Sequence, residues 1–426
     1  MSDRLHICAR EFAQNLFNQV RELSLDEPGV SRQGYGEKES TVHEILKNIA
    51  LSLDMEIKVD IAGNLFLTLP GQNRDLPAFM SGSHADSVPH GGNYDGFAGV
   101  VAAITCAWWM RQIQFVPPRD YTVVVFRMEE SSWFGKAYVG SLAMTGALTE
   151  KELRLTHRDT GETLCEVIEK AGFTTKDILK GIPTIKYDDY AAFVELHIEQ
   201  GPTLDANPKD GARVGVVTGI RGNLRHKICK VLGVTAHSGA VEKRFRYDAV
   251  CAFAEFVTTM ERRWQQWLNQ NEDLVFTVGA CHTGLGSAIA IIPGEVSFTI
   301  DMRSLSMNTL ARFHQLMIEV AQEIGKARQV TFTFDDVMVC EAADVSPRLM
   351  EQITQAAQRV SIPTQPIASG AGHDAAVLSN TGIPTAMIFV ANQKGSHNAH
   401  EAMEIDDFML ATEVLWETIK TFQAVK

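Results

Sequence analysis

The stretch that decides the fold is Gly82–Val101, "GSHADSVPHGGNYDGFAGVV". Its glycine-rich first part carries His84, Asp86 and Asp95, and it then runs into the apolar "FAGVVAAITCAWWM". The run before it, "AFMSGS", is short and apolar, as a buried strand is. A strand, a polar turn and a helix apolar all round make one step of an α/β layer. In such layers ligands bind beyond the carboxyl ends of the strands. The imidazole and the two carboxylates stand at that place because the core behind them fixes their position. Asp95, just ahead of the helix, lies near its positive N-terminus, which favours the ionised form. Held rigidly, its two oxygens can bridge two metal ions.

Working outward, the same step recurs. "NLFLTL", "YTVVVFRM", "AAFVELHI" and "TAMIFVA" are further apolar runs. Helical patterns lie between several of them and ahead of them, over 4–23 and 40–53, the second with Thr41 and Glu44 spaced as a capping box. "YTVVVFRM" delivers Glu129 and Glu130, and "AAFVELHIEQG" carries His197, Glu199 and Gln200. "TAMIFVA" is followed by "NQKGSHNAHE", with His397, His400 and Glu401. Taken singly, a buried His is usually a hydrogen-bonded core residue and a Glu–Glu pair a solvated loop. Four strand ends carrying such groups are better explained by a bound cation, which offsets the repulsion between crowded carboxylates. A metal site is expected.

Between about 211 and 334 the texture changes. "RHKICKVLGV" and "LVFTVGA" read as strands, and "EVSFTIDMRS" alternates strictly, with Val296, Phe298, Ile300 and Met302 on one face. Two helices fit, over 248–268 and 309–326. In the first, Val250, Phe253, Val257, Met260, Trp264 and Trp267 form an apolar stripe at helical spacing. A β-α-β-β-α-β order is the ferredoxin-like pattern. The expectation is an α/β protein with a largely parallel sheet, built from 1–212 and 339–426, with an inserted α+β domain at 213–338.

The rest of the composition narrows the partners. A length of 426 residues calls for more than one core. A net charge of −13 argues against nucleic acid, which needs a basic surface. Seven scattered cysteines, none in a CxxC pair, read as small buried hydrophobes rather than a disulfide framework. The opening "MSDRLHICAREFAQNLF" has no apolar core of signal-peptide length, and no window reaches that of a membrane span. A cytoplasmic protein with no membrane partner is expected.

Together these residues resemble the metal-dependent amidohydrolases of the M20 peptidase superfamily. The branch is that of N-carbamoyl-L-amino-acid hydrolases, allantoate amidohydrolases and β-ureidopropionases. "GSHADSVPHGGNYDGFAGV", "FVELHIEQGP", "GVVTGIRG", "IIPGEVSFTIDMRS", "SGAGHDA" and "GSHNAHE" carry the resemblance in the family's order, from about 82 to 401. It implies a two-metal site in which His84 and His197 bind one ion, Glu130 and His397 the other, and Asp95 bridges. Asp86 is implied as the carboxylate orienting His84, and Glu129 as the general base acting on a metal-acidified water. His237 in "TAHSGA" matches a His that reaches an active site, commonly the partner subunit's; a homodimer is expected from the family's pairing through this domain and from the apolar stripe of 248–268. Arg303 matches a clamp for a substrate carboxylate, and Gln200 and Gly372 match other substrate contacts. Zinc is the default ion for such ligands, with manganese, cobalt and nickel also suited.

The expected activity is hydrolysis of a C–N bond in a small N-carbamoyl, ureido or related amide-linked acid. An aminoacylase or dipeptidase with the same ions is the second reading, and a catalytically silent metal-binding relative the third. The departures from the branch touch recognition rather than metal ligands: Ser131 and Trp133 after the base, "AVEK" at 240–243, and Ala290 where relatives carry Asn.

Overall fold

The structure, a computed structural model, describes residues 3–206 and 208–424. It divides into two compact units, Met1–Thr218 with Asp344–Lys426, and Gly219–Ala343. Along the chain the principal strands are β1 (Glu56–Val59), β2 (Leu65–Leu69), β3 (Ala78–His84), β4 (Tyr121–Phe126), β5 (Tyr190–Ile198) and β6 (Val214–Ile220). They continue with β7 (Gly222–Leu232), β8 (Val275–Thr283), β9 (Glu295–Ser304), β10 (Thr331–Phe334), β11 (Thr364–Ser369) and β12 (Thr385–Val390).

The larger unit is built on an eight-stranded sheet in the order β11-β6-β12-β5-β3-β4-β2-β1. Its four central strands run parallel, and antiparallel pairs flank them. Strands β3, β4 and β12 are buried at every position. That is what continuous apolar runs produce when both faces of a sheet are covered. Helix Phe97–Gln112 is buried all round except near its end, and it packs in one core with helices Asp3–Ser24 and Ile405–Thr421. A separate cluster, including Tyr35, Met128, Trp133, Phe134 and Ile168, packs around the loops after β4.

The smaller unit has the sheet order β8-β9-β7-β10, antiparallel throughout. Helices Ala249–Leu268 and Met307–Arg328 complete the β-α-β-β-α-β order. Strand β9 alternates as the sequence demands, with Val296, Phe298, Ile300 and Met302 all buried against the helices.

Several expectations are corrected. The insertion runs 219–343 rather than 213–338, because Val214–Val216 pair with β12 in the large sheet and Ala343 still bridges Ile220. The second helix begins at Glu37, so Thr41 lies inside it, its hydroxyl donating to the Glu37 carbonyl, and no Thr41–Glu44 capping box forms. Only Cys106 and Cys229 of the seven free cysteines are buried, while Cys251, Cys281 and Cys340 are exposed. In helix Ala249–Leu268 the fully buried face is Ala249, Ala252, Phe256 and Met260. Phe253, Val257, Trp264 and Trp267 pack against the unit's own core, and Val250 is exposed. The stripe is therefore consumed within the unit. Among the described residues no helix is long and apolar enough to cross a membrane.

Candidate metal centre

Four parallel strands bring their carboxyl ends to one rim of the sheet, and the donors follow from there. His84 is the last residue of β3 and His197 the last but one of β5. Glu129 and Glu130 follow β4, and His397 lies in the loop after β12. Asp95 comes from the turn before helix Phe97–Gln112, whose entry residue Gly96 has φ +66°. A side chain at Gly96 would collide with the His84 ring, the built Cβ falling 2.1 Å from Nε2. Glycine is required there by a close approach as well as by the backbone.

Asp95 stands at the centre. Its Oδ1 lies 3.1 Å from His197 Nε2 and 3.8 Å from His84 Nε2, and its Oδ2 lies 3.3 Å from His397 Nε2. His84, Asp95 and His197 form one group able to hold a cation, and Asp95, Glu130 and His397 a second. His397 has φ +57° and a half-exposed ring, so this side of the cluster opens to solvent.

The donors are held from behind. Asp86, fully buried, takes His84 Nδ1 at 3.1 Å on one oxygen and accepts the backbone N–H groups of Glu129 and Glu130 at 3.0 Å each. One carboxylate thus sets the imidazole tautomer and anchors both glutamates. His197 Nδ1 points at the Ile198 carbonyl, 2.9 Å away. Glu401 accepts the N–H groups of Tyr94 and Asp95 on Oε1, and Ser396 donates between Glu401 and Asp95 at 2.5 Å.

Charge balance calls for a cation. Burial opposes a proton on His84, but Asp86, Glu129 and Asp95 outweigh it and push its pKa well up. His397, facing the carboxylates of Asp95 and Glu130 at 3.3 Å each, is pushed up to about 11. Burial raises Glu130 and drives Glu129 well up, where Glu130, Asp374 and Asp86 add to the effect. Glu130 Oε1 is buried and accepts no hydrogen bond, with His397 Nε2 3.3 Å away as its ion-pair neighbour. An orphaned carboxylate oxygen beside nitrogen donors, in a pocket short of positive charge, fits divalent ions with mixed N and O ligation.

The sequence pattern of Peptidase family M20/M25/M40 matches residues 78–421. The chain belongs to that family. An N-carbamoyl-L-amino-acid amidohydrolase of Paenarthrobacter aurescens is 30% identical over 96% of this chain and 97% of its own length. A ureidoglycolate hydrolase of Arabidopsis thaliana is 31% identical over 96% of this chain and 86% of its own. Among solved structures, an amidase of the hydantoinase/carbamoylase family from Burkholderia multivorans superposes with a TM-score of 0.88. It is 27% identical and covers 97% of both chains. The M20 family is metal-dependent, and this member is a hydrolase of non-peptide C–N bonds.

Other expected site residues in this M20 chain fall as follows. Gln200, at φ +63°, donates its side-chain N–H to Asp95 Oδ2 at 2.8 Å. Gly372 lies under the Tyr138 hydroxyl, which a Cβ there would meet at 1.7 Å. His237 and Arg303 belong to the smaller unit. His237 is exposed, its Nδ1 accepting the N–H groups of Gly239 and Ala240 at 3.2 Å, which leaves Nε2 open. Arg303 grips Asp301 through Nε at 3.1 Å and a terminal N–H at 2.7 Å. Of the neighbouring motif residues, Glu199 accepts the N–H groups of Thr203 and Leu204, and His400 is exposed.

The sequence reading missed three supports. Ser396 joins Asp95 to Glu401, and only its place beside His397 hints at this. Glu195, buried in mid-strand two residues before His197, receives the Ser83 hydroxyl at 2.6 Å and the Ala375 N–H at 2.9 Å. A charged residue inside an apolar strand is the signal that could have found it. Trp133 buries its indole, which donates to the Ser87 carbonyl at 2.8 Å and stacks on His157. Trp133 therefore braces the loop that carries Asp86.

Proposed function

We propose that the chain hydrolyses the ureido or carbamoyl C–N bond of a small carboxylate-bearing substrate, with two divalent ions held about Asp95. The observation that carries this reading is the division of Asp95, one oxygen toward His84 and His197 and the other toward His397, with Glu129 beside the pair and in neither group. Zinc is the ion favoured by this donor set, with manganese, cobalt and nickel as substitutes. When bound, such ions acidify water and polarise a carbonyl.

The chain's own residues do the rest. Glu129, with Oε2 3.8 Å from His84 Nε2, takes the proton of the attacking water and passes it to the leaving nitrogen. Its burial favours the protonated carboxyl once the transfer has occurred. Asp86 fixes the glutamate backbone and the His84 ring, so the base moves little between the two steps. Arg303 supplies the planar fork for a substrate carboxylate, for which Asp301 holds the place, and Gln200 and Gly372 line the substrate's path. His237, through Nε2, contributes a donor to the oxyanion. The working form is a homodimer, a reading supported by the unpaired edge of β8 and the exposed Leu285 and Ile289 that follow it.

The test is an activity screen of metal-stripped protein reloaded with each ion. N-carbamoyl and ureido acids should release ammonia, while N-acetyl and N-formyl amino acids and dipeptides should not be turned over. Release of free amino acid from acyl amides alone would transfer the assignment to an aminoacylase. No turnover of any compound with any ion would remove it.

A further inference from the structure

A second group of donor atoms lies in the smaller unit, built by an irregularity of β7. Phe298 pairs with Cys229 and Ile300 with His226, so β7 takes three steps where β9 takes two. In a regular strand residues three apart point to opposite faces. The bulge turns His226 and Cys229 to the same face, where they are 3% and 0% exposed. Asp335, the residue after β10, closes the group from the side.

The contacts are specific. Asp335 Oδ1 lies 3.1 Å from His226 Nδ1, while Oδ2 accepts the Lys227 N–H at 3.1 Å. A nitrogen of His226, the thiol of Cys229 and a carboxylate oxygen of Asp335 all stand within 4.8 Å of one another. On its far side His226 Nε2 meets Nε2 of His314, from helix Met307–Arg328, at 2.9 Å. The two rings are 16° from parallel with centroids 5.2 Å apart, a head-on contact bridged by one proton. Each outer donor is thus oriented independently, His226 by His314 and Asp335 by a backbone N–H.

We propose that His226 Nδ1, Cys229 Sγ and Asp335 Oδ1 bind one divalent transition-metal ion, zinc above all, with solvent completing the coordination. The nitrogen–oxygen separation of 3.1 Å equals that between His197 and Asp95 in the M20 centre. A mixed N, S and O set suits zinc or cobalt and excludes calcium and magnesium, which take oxygen ligands. His314 fills the outer position that fixes a ligating imidazole. Asp335, with its side chain 28% exposed, gives the ion its entry.

Binding balances as follows. Bonds form from the ion to Nδ1, Sγ and Oδ1. The S–H bond of Cys229 breaks and its proton leaves to solvent. The His226 proton relocates from Nδ1 to Nε2, where His314 Nε2 accepts it, and the His314 proton moves to its own Nδ1. Burial and Asp335 hold the free thiol up at about 12, so affinity rises with pH.

The test uses the full chain, stripped by chelation and titrated with cobalt(II). The five expected ligands of the M20 centre are imidazoles and carboxylates, so thiolate-to-cobalt charge-transfer absorption reports the smaller unit alone. The absorption should appear, vanish in Cys229→Ser and His226→Gln, and persist in Cys340→Ser. His314→Phe should weaken cobalt binding about 10–100-fold while leaving the band's shape. Absence of the band in the unaltered chain, or its survival in Cys229→Ser, overturns the site. Asp335→Asn, at a partly exposed position, covers the case in which Cys229→Ser does not fold. Its circular dichroism should be unchanged and its cobalt affinity at least about tenfold lower, and equal affinity overturns the proposal.

Discussion

Glu39 and Glu129 are both buried carboxyl groups of the larger unit, and they act on the same short piece of backbone. Glu39 Oε1 accepts the N–H of Met128, the residue before Glu129. Its other oxygen takes Arg127 at 2.7 Å and the Tyr35 N–H at 2.6 Å. Glu129 has no such escort. Around it stand Glu130, Asp374 and Asp86, with His84 the nearest cationic partner at 3.8 Å. Burial raises the pKa of both groups, but Arg127 and backbone donors oppose the rise at Glu39, while neighbouring carboxyls add to it at Glu129. A buried carboxylate that brings its own arginine and backbone donors is scaffold. One surrounded by other acids and open-ended imidazoles is waiting for charge from outside the chain.

The contrast is broken or sharpened first at Glu129. Glu129→Gln keeps the shape and removes the proton acceptor, so kcat should fall about 10²–10⁴-fold. Metal content by elemental analysis should stay unchanged, and stability should hold or rise, since a carboxyl crowded by acids is gone. Turnover retained in this variant would erase the distinction. At Glu39 the consequence is inverted. Glu39→Ala strands Arg127 in the interior and should cost about 3–5 kcal/mol in urea unfolding, with any loss of activity following the unfolded fraction. A variant as stable as the parent would show that the pair is not the anchor its geometry indicates.

Asp86 lies between the two cases, since it touches scaffold and centre at once. Asp86→Asn keeps an acceptor for one backbone N–H but no longer draws His84 Nδ1 as an anion does. Metal affinity should drop about 10–100-fold, measured by competition with a chromophoric chelator. Unchanged affinity would mean that the two glutamate N–H groups, not the imidazole, are its purpose.

How far this was legible in the sequence follows from the same chemistry. The strand ends were readable because both faces of the sheet are covered, which forces runs such as "YTVVVF" to be apolar without interruption. Donors after such runs therefore stood out. Strand β9 was readable to the residue, since one covered face imposes strict alternation. What escaped was whatever depends on a third dimension. The stripe of helix Ala249–Leu268 has the right spacing for a partner, yet its own sheet uses it. Ser396 and Glu195 act through residues that are distant in sequence or stand on the opposite strand. The bulge that aligns His226 with Cys229 leaves no mark in composition, because one extra residue in a strand is invisible until its partner strand is known.

His43 completes the series as a buried ionisable group with no partner of opposite charge. It sits in helix Glu37–Ser52, fully enclosed, its Nε2 without a hydrogen bond. Burial, reinforced by the nearby Arg127 and Lys47, holds its pKa well below the ordinary 6.5. The folded chain therefore leaves this imidazole neutral where the unfolded chain would protonate it. Below about pH 6.5 the unfolded state binds the extra proton, so stability declines as pH falls, by about 1.4 kcal/mol per unit from this group. Above that value the group contributes no slope. His43→Leu keeps the helix and removes the titration. Comparing urea unfolding at about pH 7 and about pH 5, the variant should lose about 2 kcal/mol less than the parent, since all other titrating groups are common to both. Equal losses would mean that His43 gains its proton in the folded state, and that the interior beside Arg127 tolerates an unpaired cation after all.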